Sequence, residues 1–600
     1  MPKNLEPTDI LIDTKKNSFL KRENPFPHRR AFLFLIFVSL SFFIFSFKLF
    51  QLSAFSFEEF AQKAFKNQFI LQQQFAERGI IFDRNGEPLV ENSISFNLIL
   101  DKTKFEKNPT SLEELEKILE TSGLKEKLEK SEKNEILLWE NLTQKQRFQI
   151  ESNLEKFPFL KIQKVQARKY KEGNIFSPVL GYTRNENENL IGVFGIEGFY
   201  DELLKPVPGN IRIERNSLGK ILKEEVESFP KPGKSLVLTV DARLQRKLFE
   251  LLDSKIKELG AKGGAAVALN PKNGEVLALV SLPSFDNNVF FEQKEEVEKV
   301  LKGEGIFNRA IAGKYLVGST IKPLIALAGL NEGKIKPEQT IECQGSLKIP
   351  HRYRPQIVYK FDDWTVHGIV DLKKAIAESC NVYFYLLGKN LGPSVIKNYL
   401  EKFNWGKLTQ IDLMGEDSGF LPDAQWKKEK LNENWWDGDS MLYAIGQEYL
   451  GVTPLQAAIA FEAIAEEGVI FKPHLLKKVV DENKNVLEEK QPEILTKVEI
   501  PQEYFKIVKE GMRRAVTGLG APHASAKMLA DLPFSVAAKT GTAEIQKGVY
   551  NVWVTAFGPY EDPQILLTVV IEKVRGLSVV TLPIAKEFFN FWWQLQKQQN

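Results

Sequence analysis

Ser319 and Lys322 are the residues of this chain whose types and spacing most directly suggest chemistry. They stand three positions apart at a predicted helix start, and positions i and i+3 share one face of a helix. A serine hydroxyl is a poor nucleophile until a neighbouring base takes its proton, and a lysine whose ammonium is desolvated can be that base. The two residues are therefore a candidate nucleophile and base.

The S-x-x-K spacing alone carries little weight because lysine is abundant in this chain. The same spacing also occurs at Ser18, Ser122, Ser217, Ser228, Ser254 and Ser394. The copy at Ser319 differs because an S-x-N motif follows it at Ser379 and a K-T-G motif follows at Lys539. K-T-G occurs once in the chain, and the three motifs in this order are far more specific than any one of them.

Length, hydrophobic content, net charge and cysteine count limit the classes of protein to which this chain can belong. At 600 residues and 43% hydrophobic, the chain can bury large cores, and a prior of roughly 150 residues per domain predicts about two to four domains. The net charge of +3 is too small to indicate a nucleic-acid partner. Two cysteines exclude a disulfide framework but allow one disulfide or one metal site.

An apolar segment near the N-terminus predicts a membrane anchor at residues 31–52. Residues 31–47 are all apolar or serine, and the apolar character continues to residue 52, which satisfies a bilayer that needs about 20 residues. A cleaved signal peptide would have a shorter apolar core and a small-x-small cleavage site, and neither is convincing. Basic residues crowd the preceding side: Lys15, Lys16, Lys21, Arg22, Arg29 and Arg30. By the positive-inside rule, residues 1–30 form a cytoplasmic tail and the rest lies beyond the membrane.

The strand and turn signals of residues 53–232 predict a β-rich domain between the anchor and a proline-glycine boundary, which is called the pedestal below. Apolar and polar side chains alternate at near-helical spacing over residues 55–75, which predicts an amphipathic helix that continues the anchor. Residues 78–86 predict a short strand closed by an Asn-Gly turn. The proline and glycine run at residues 230–233 marks the boundary to the next domain.

Two stretches of the pedestal contain no recognisable catalytic or binding motif, and we interpret both as structural. Residues 110–133 are charged and helical, with Ser111 and Glu114 placed as a capping box. Glycines recur over residues 181–219, but they lack the spacing and strand-to-helix context of a phosphate-binding loop. They predict tight turns in a small β-rich module.

Residues 233–600 predict an α+β domain. Strands are predicted at residues 265–269, 275–280, 535–538, 549–557 and 565–571, with a hairpin turn at 270–274, and helices around 319–330, 372–387 and 455–467. Strands at both ends with helices between them predict that the first and last strands share one sheet.

Further stretches carry a family resemblance: residues 78–86, Gly195-Ile196-Glu197 with Tyr200 and Leu204, residues 270–286, 436–439, 445–447 and 452–456. With the three motifs, whose order is typical of penicillin-binding proteins and class A β-lactamases, they make the chain similar to the class B penicillin-binding proteins. Within that family, residues 364–385 resemble the elongation type more than the division type.

Three positions depart from the family pattern. Val317 stands where the family usually has proline, Ala538 where it usually has glycine, and Glu448 where glycine is common. None of the three removes a reacting group, although they could reshape the edges of the site.

The resemblance implies an α+β fold in three parts. A single N-terminal transmembrane helix would precede an elongated β-rich pedestal and a transpeptidase domain, whose antiparallel sheet is packed with helices as in serine β-lactamases. The protein would be a single-pass protein of the bacterial cytoplasmic membrane with its catalytic domain on the periplasmic side.

The resemblance also implies a peptidoglycan D,D-transpeptidase that requires no cofactor. Ser319 would attack the carbonyl of a D-Ala-D-Ala stem peptide, and Lys322 would take its proton, although the identity of the acylation base is disputed in this superfamily. Ser379 would relay the proton to the departing D-alanine, and Asn381 would hold the substrate amide. A second stem peptide's amine would then resolve the acyl-enzyme and form the cross-link.

The K-T-G strand would complete the site. Lys539, Thr540 and Thr542, with Gly541 between them, would bind the terminal carboxylate of the substrate. Backbone N–H groups of Ser319 and Thr542 would stabilise the oxyanion, a contribution of about 3–4 kcal/mol per donor in comparable sites.

The implied partners are peptidoglycan stem peptides, β-lactam antibiotics, the membrane, the multi-pass glycan polymerase RodA and the rod elongation complex. Two rival functions stay open. One is a hydrolase of the same fold, a β-lactamase or D,D-carboxypeptidase, which the anchor and long pedestal disfavour. The other is a non-catalytic receptor or scaffold, which the intact motifs disfavour.

The two cysteines suggest a metal site beside the motifs. Some elongation-type relatives carry a zinc site of two aspartates, a histidine and a cysteine, and His367 and Cys380 match its last two ligands. Asp363 would be a third ligand, in a loop that looks shortened, and Cys343 would replace the remaining aspartate. A disulfide between the cysteines and plain packing of free thiols are the alternatives.

Overall fold

The computed structural model describes residues 28–54, 58, 69–107, 112–131, 133–186, 189–216, 220–291, 294–351, 354–576 and 579–599. The chain divides into two compact units. The first comprises Met1–Gln74 and Gly209–Phe229, and the second comprises Phe75–Pro208 and Pro230–Asn600.

The described helices are α1 (His28–Ala54), α2 (Lys102–Lys107), α3 (Leu112–Leu119), α4 (Leu124–Glu129), α5 (Gln144–Glu151), α6 (Gly173–Leu180), α7 (Gly195–Phe199), α8 (Asp201–Leu204), α9 (Ala242–Leu259), α10 (Lys294–Lys302), α11 (Arg309–Ala312), α12 (Lys322–Asn331), α13 (Leu372–Ala377), α14 (Asn381–Lys402), α15 (Ala424–Leu431), α16 (Asp437–Tyr443), α17 (Pro454–Ala465), α18 (Gln502–Thr517) and α19 (Leu582–Gln599). Short 3-10 turns lie at Asn287–Phe291, Glu304–Ile306, Gly318–Ile321 and Lys527–Leu529.

The described strands are β1 (Phe69–Gln74), β2 (Ile81–Phe82), β3 (Pro88–Asp101), β4 (Glu135–Trp139), β5 (Leu160–Tyr170), β6 (Thr183–Glu186), β7 (Asn189–Gly192), β8 (Gly209–Arg215), β9 (Ile221–Ser228), β10 (Ser235–Leu238), β11 (Gly263–Leu269), β12 (Val276–Leu282), β13 (Ile341–Cys343), β14 (Ser346–His351), β15 (Arg354–Asp362), β16 (Gly368–Val370), β17 (Val469–Phe471), β18 (Leu476–Val480), β19 (Val486–Glu489), β20 (Ile494–Lys497), β21 (Ala537–Gln546), β22 (Val549–Gly558) and β23 (Ile565–Arg575).

The first unit contains helix α1 and the antiparallel sheet β1-β8-β9. Within α1, the span Arg29–Ser53 contains an 18-residue stretch with a mean hydropathy of 2.3 and is long and apolar enough to cross a membrane. This span agrees with the predicted anchor at residues 31–52 and is consistent with single-pass membrane anchoring. The predicted cytoplasmic tail lies almost wholly outside the described residues.

The prediction of an amphipathic helix over residues 55–75 is wrong at its C-terminal end. Residues 69–74 form strand β1, which pairs with β8 and sets Ile70 opposite Ile213. The apolar and polar alternation is compatible with either period, and pairing with β8 favours the extended form. Residues 55–57 and 59–68 of the predicted helix lie outside the described part of the chain.

The five-stranded antiparallel sheet of the second unit has the order β12-β11-β23-β22-β21. The predicted strands at residues 265–269, 275–280, 549–557 and 565–571 are confirmed, and the first and last strands do share this sheet. β21 lies at one edge. Among the described strands, the one that carries K-T-G therefore has one edge without a strand partner, where a ligand could pair.

Helices cover both faces of this sheet. Along β11, Ala265, Val267 and Leu269 belong to one buried cluster with helices α12, α14 and α17. Ala266 and Ala268 belong to a second cluster with helices α9 and α19. Successive side chains of β11 thus alternate between the two clusters, as expected for a strand packed on both faces. Because both faces are buried, β11 is apolar at every position.

A seven-stranded sheet joins strands from distant parts of the sequence. Its order is β19-β18-β10-β2-β3-β4, and β5 also pairs with β3. Strands β2 to β5 lie in the predicted pedestal, whereas β18 and β19 lie far into the predicted transpeptidase domain. The boundary near residue 232 stays a prediction, and the sheet crosses it.

The two pedestal stretches that were predicted to be structural, residues 110–133 and 181–219, agree with their predictions to different degrees. Residues 110–133 contain the two helices α3 and α4, separated by Gly123 with a φ of +85°. Ser111, half of the predicted capping box, lies outside the described residues. The glycine-rich stretch contains the β6–β7 hairpin, as expected, but Gly195 opens helix α7, so this module is not β-rich throughout.

Candidate active site

Ser319 lies in the 3-10 turn Gly318–Ile321, which leads directly into helix α12. Gly318 has a φ of +54° and donates its N–H to the carbonyl oxygen of Gly446, at 2.9 Å. A Cβ on Gly446 would lie 2.1 Å from the Gly318 carbonyl oxygen. Backbone packing without side chains therefore fixes the turn that carries the predicted nucleophile.

The K-T-G strand packs closely against this turn. A Cβ on Gly541 would lie 2.2 Å from Thr320 Oγ1 and 2.5 Å from the Val317 carbonyl oxygen. The glycine of K-T-G thus allows β21 to approach the nucleophile turn at backbone distance. This is the physical reason that the third residue of the motif is glycine.

Ser379 lies between helices α13 and α14 in a left-handed backbone conformation, with a φ of +58°. Ser379 N–H donates to the Ile376 carbonyl and Cys380 N–H donates to the Ala375 carbonyl, at 3.3 and 3.0 Å, which is the pattern of a Schellman helix end. Glycine is the usual residue at this position, because a side chain there costs about 1–2 kcal/mol. Ser379 therefore has a strained backbone at the position where the sequence predicts a proton relay.

The predicted base Lys322 is fully buried and bonds to the S-x-N motif. Its Nζ donates to the Ser379 carbonyl oxygen and to Asn381 Oδ1, both at 2.7 Å, and lies 3.4 Å from Ser379 Oγ. Among the described residues no hydrogen bond joins it to Ser319. Burial lowers the pKa of Lys322 to about 8, against the opposing pull of the Asp363 carboxylate.

A second buried lysine shares the Ser379 hydroxyl. Lys539 Nζ lies 2.9 Å from Ser379 Oγ and donates to the Thr540 carbonyl oxygen at 2.8 Å. Burial lowers the pKa of Lys539 well below its ordinary value, and the positive charge of Lys322 lowers it further. The amine that was predicted to bind a substrate carboxylate thus lies beneath the surface on Ser379, whereas Thr542 is only half-buried.

The structure brings the predicted metal ligands together. Cys343 Sγ and Cys380 Sγ lie 3.4 and 3.2 Å from Asp363 Oδ2, and these three ligand atoms all lie within 4.8 Å of one another. His367 Nε2 lies 3.4 Å from Asp363 Oδ1. Both cysteines are free thiols in this structure.

The donor set fits a tetrahedral zinc ion. His367 Nε2 is buried and makes no hydrogen bond within the described residues. Its other ring nitrogen, Nδ1, lies 2.8 Å from Glu378 Oε2, an arrangement that orients zinc-ligating histidines. Two thiols, a carboxylate and an imidazole nitrogen that makes no hydrogen bond within the described residues are ligands that zinc prefers.

Sequence reasoning missed Glu378. This fully buried carboxylate accepts from the His523 N–H at 3.0 Å and contacts His367, and it directly precedes the S-x-N motif. Its neighbours are 11 and 145 positions away along the chain, so no local pattern could have identified the role.

Comparison with known proteins agrees with this geometry. Residues 264–590 match the family described as the penicillin binding protein transpeptidase domain, and residues 73–238 match the penicillin-binding protein dimerisation domain. The chain is 32% identical to the peptidoglycan D,D-transpeptidase MrdA of Haemophilus influenzae, over 86% of this chain and 84% of the relative.

Two solved structures are also similar. The complex between penicillin-binding protein PBP2 and MreC from Helicobacter pylori has a TM-score of 0.75 at 24% identity, and covers 88% of this chain and 99% of that chain. A peptidoglycan synthase complex that coordinates polymerization and crosslinking has a TM-score of 0.66 at 26% identity, and covers 94% of this chain and 98% of that chain.

Proposed function

This chain belongs to the penicillin-binding proteins and is an elongation-type peptidoglycan D,D-transpeptidase, and we propose that Ser319 carries the acyl group in its reaction. The observation that supports this proposal most strongly is the position of Lys322. It is fully buried, it bonds to both polar members of the S-x-N motif, and it follows Ser319 by one helical turn.

In the first step the Ser319 oxygen attacks the carbonyl carbon between the two D-alanines of a stem peptide. Neutral Lys322 accepts the serine proton, and burial favours this neutral form. A C–O bond forms, the C–N bond breaks, and the terminal D-alanine leaves after its nitrogen receives a proton. In the second step the amine of another stem peptide attacks the ester and restores the serine hydroxyl.

The proton for the leaving amine travels through Ser379. Its hydroxyl lies between Lys322 Nζ and Lys539 Nζ, so it can accept from one amine and donate to the other. The strained backbone of Ser379 fixes this hydroxyl between the two lysines. Lys539 lies below the substrate and acts on it through its hydrogen bond to Ser379. The half-buried Thr542 hydroxyl is the group that binds the substrate carboxylate.

The free edge of β21 binds the substrate backbone by strand addition. Backbone N–H groups of Ser319 and Thr542 stabilise the oxyanion, and Asn381 holds the substrate amide. β-Lactams acylate the same serine because they mimic the D-Ala-D-Ala unit.

Product analysis distinguishes cross-linking from hydrolysis. Purified full-length protein is incubated with uncross-linked strands that carry pentapeptides, and the digested products are weighed by mass spectrometry. A transpeptidase yields cross-linked dimers and free D-alanine, and the Ser319→Ala variant yields neither. Tetrapeptide monomers without dimers would instead establish a carboxypeptidase.

The catalytic domain lies on the periplasmic side of the membrane and RodA is its polymerase partner in the rod complex. The supporting observations are the apolar helix α1 and the similarity to a synthase complex that couples polymerization to crosslinking. Co-purification of RodA with the full-length protein, and its loss when residues 28–54 are replaced by an unrelated membrane span, tests this partner. Retention of RodA by the chimera would exclude a contact through the anchor.

We propose that Cys343, Asp363, His367 and Cys380 would hold a structural zinc ion. Burial raises the pKa of the Cys380 thiol, and a bound zinc ion would supply positive charge that stabilises the thiolates. The ion would order the S-x-N motif, because Cys380 lies inside it. Metal analysis with intact mass under non-reducing conditions tests the site: one zinc per chain supports it, and a metal-free protein two hydrogens light would establish the disulfide.

A further inference from the structure

Strands β14 and β15 form a separate two-stranded hairpin, residues 346–362, called the basic hairpin below. Its root is bonded to the active site, because Asn381 Nδ2 and the Tyr385 hydroxyl both donate to the Asp362 carbonyl oxygen, at 3.5 and 3.2 Å. From this root β14 extends over six residues, roughly 17 Å at the usual rise per residue. A ligand on the hairpin would therefore be continuous with the catalytic site.

The hairpin carries a concentrated positive charge. Its described residues include three basic ones, Lys348, Arg354 and Lys360, and one acidic one, Asp362. Their net charge is +2, close to the +3 of the entire 600-residue chain. Anionic ligands are therefore attracted to this arm more strongly than to the average surface.

Two of these lysines face each other across the strands. Lys348 lies directly opposite Lys360, and both side chains are exposed. Like charges directly opposite each other destabilise a strand pair, and an isolated two-stranded hairpin is already marginal. Lys360 is paired with Asp362, with Nζ 2.6 Å from Oδ1, whereas Lys348 has no ion pair among the residues described.

The lysine pair shares its face with apolar surface. Side chains two positions apart on a strand lie on one face, so Val358 and Pro350 lie beside Lys360 and Lys348. Val358 is 50% exposed. The face thus combines two amines, of which only Lys360 has an ion-pair partner among the described residues, with an apolar contact, and this combination fits a carboxylate on an aliphatic carrier.

We propose that this face of the basic hairpin binds the carboxylates of a stem peptide on the peptidoglycan strand being cross-linked, next to the stem peptide held at Ser319. The inference rests on the proposed function and adds a second substrate contact to it. A stem-peptide carboxylate between Lys348 and Lys360 would replace their mutual repulsion by two ion pairs. The root at Asn381 favours the substrate over an anionic lipid as the occupant.

Binding of defined strands to full-length protein in detergent tests the proposal. The probes are soluble uncross-linked strands with pentapeptides, the same strands stripped of peptides by an amidase, and vesicles with anionic lipid. The test variant Lys348→Glu with Lys360→Glu keeps a like-charge pair across the strands with its sign reversed, and it also removes the Lys360–Asp362 ion pair. The matched control is Lys161→Glu with Lys164→Glu, two exposed lysines on strand β5 with the same change in charge.

The hairpin variant should bind pentapeptide strands about tenfold more weakly, as expected for the loss of two exposed ion pairs, and the control should bind normally. Wild-type affinity should fall with added salt. Equal binding by both variants, equal binding of stripped strands, or a variant that loses only vesicle binding would each overturn the proposal. Penicillin acylation of Ser319 should be unchanged in both variants, and its absence from the wild type would refute the proposed function instead.

Discussion

At the scale of single residues, two buried lysines share one serine hydroxyl. Lys322 and Lys539 are both fully buried and both lie within hydrogen-bond distance of Ser379 Oγ. Two ammonium groups at this separation repel each other, so the site favours one neutral amine. A neutral lysine is what acylation requires of its base.

The pH dependence of acylation follows from Lys322. Since burial lowers the pKa of Lys322 to about 8, the neutral fraction rises as pH rises through 8. The acylation rate with penicillin should therefore be about one tenth of its plateau at pH 7 and level off above pH 9. Stopped-flow measurements of acylation against pH check this.

Lys322→Arg is the matched variant, because arginine remains protonated over this range. It should acylate at least about 100-fold more slowly, with no rise near pH 8. A wild-type rate that is flat between pH 6 and 9, or a normal rate in the arginine variant, would place the base elsewhere.

The backbone strain at Ser379 predicts a difference between two substitutions. Ser379→Gly and Ser379→Ala both remove the hydroxyl, but only alanine keeps a Cβ at the left-handed φ of +58°. The glycine variant should be more stable than the alanine variant by about 0.5–1 kcal/mol, after the entropy of glycine in the unfolded chain is subtracted. Urea unfolding of both variants measures the difference.

Both of these variants should acylate slowly, since neither can relay a proton. If alanine were as stable as glycine at this position, the strain would be absent. If either variant acylated at the normal rate, Ser379 would have no part in proton transfer.

The residue types of the site could be predicted from the sequence, and their contacts could not. S-x-x-K, S-x-N and K-T-G identified Ser319, Ser379 and Lys539 by spacing alone. That Lys539 is buried on Ser379 rather than exposed to a carboxylate depends on packing between segments 160 positions apart. No local pattern reports such a contact.

At the scale of elements, the site depends on three backbones packed without intervening side chains. The nucleophile turn lies between Gly446 on one side and Gly541 of β21 on the other. A side chain at either glycine would separate the elements that must hold the serine and the substrate edge together.

Gly541→Ala should show this dependence. The added Cβ would meet Thr320 Oγ1 and the Val317 backbone at 2.2 and 2.5 Å, so β21 must move. Overpacking of this kind costs about 1–3 kcal/mol, and we expect a loss of stability in that range together with much slower acylation. Thermal unfolding and penicillin labelling measure the two effects.

Gly303→Ala is the control, because its nearest contact would be the Lys299 carbonyl oxygen at 3.2 Å. It should label normally. A Gly541→Ala variant that labels as fast as this control would show that the strand tolerates displacement.

Helices and strands could be predicted where the spacing of apolar residues fits only one of the two structures. They could not be predicted where that spacing fits both. Four strands of the five-stranded sheet were found because they are apolar and bounded by turns, whereas the predicted strand at residues 535–538 overlaps β21 at only two residues. The predicted helix over residues 55–75 failed at β1, because the partner strand β8 lies about 140 positions later in the chain. The hairpin β14–β15 had no signal strong enough to be noticed.

At the scale of the whole molecule, the seven-stranded sheet joins the N-terminal and C-terminal parts of the second unit. A buried carboxylate, Glu197, holds one side of it by bonds to Arg78 and Arg168, each at 2.8 Å. Burial alone would raise the pKa of Glu197, but the two guanidinium groups hold it below its ordinary value.

Glu197→Gln should destabilise the second unit by about 3–5 kcal/mol, because buried Arg168 loses its carboxylate partner and buried Arg78 keeps only that of Asp201. The exposed pair of Arg184 and Glu186 provides the control, and Glu186→Gln should cost less than about 1 kcal/mol. Since one sheet spans both parts, heat should abolish penicillin binding of the Glu197 variant at the temperature where the pedestal unfolds. Penicillin binding that survives pedestal unfolding would show that the two parts melt independently.

The central claim is that Ser319 carries the acyl group, and the most direct measurement is the mass spectrum of the penicillin-treated protein after proteolysis. Wild-type protein should show one adduct, on the peptide that contains Ser319, and the folded Ser319→Ala variant should show none. An adduct on another residue, or covalent labelling retained by Ser319→Ala, would contradict the mechanism.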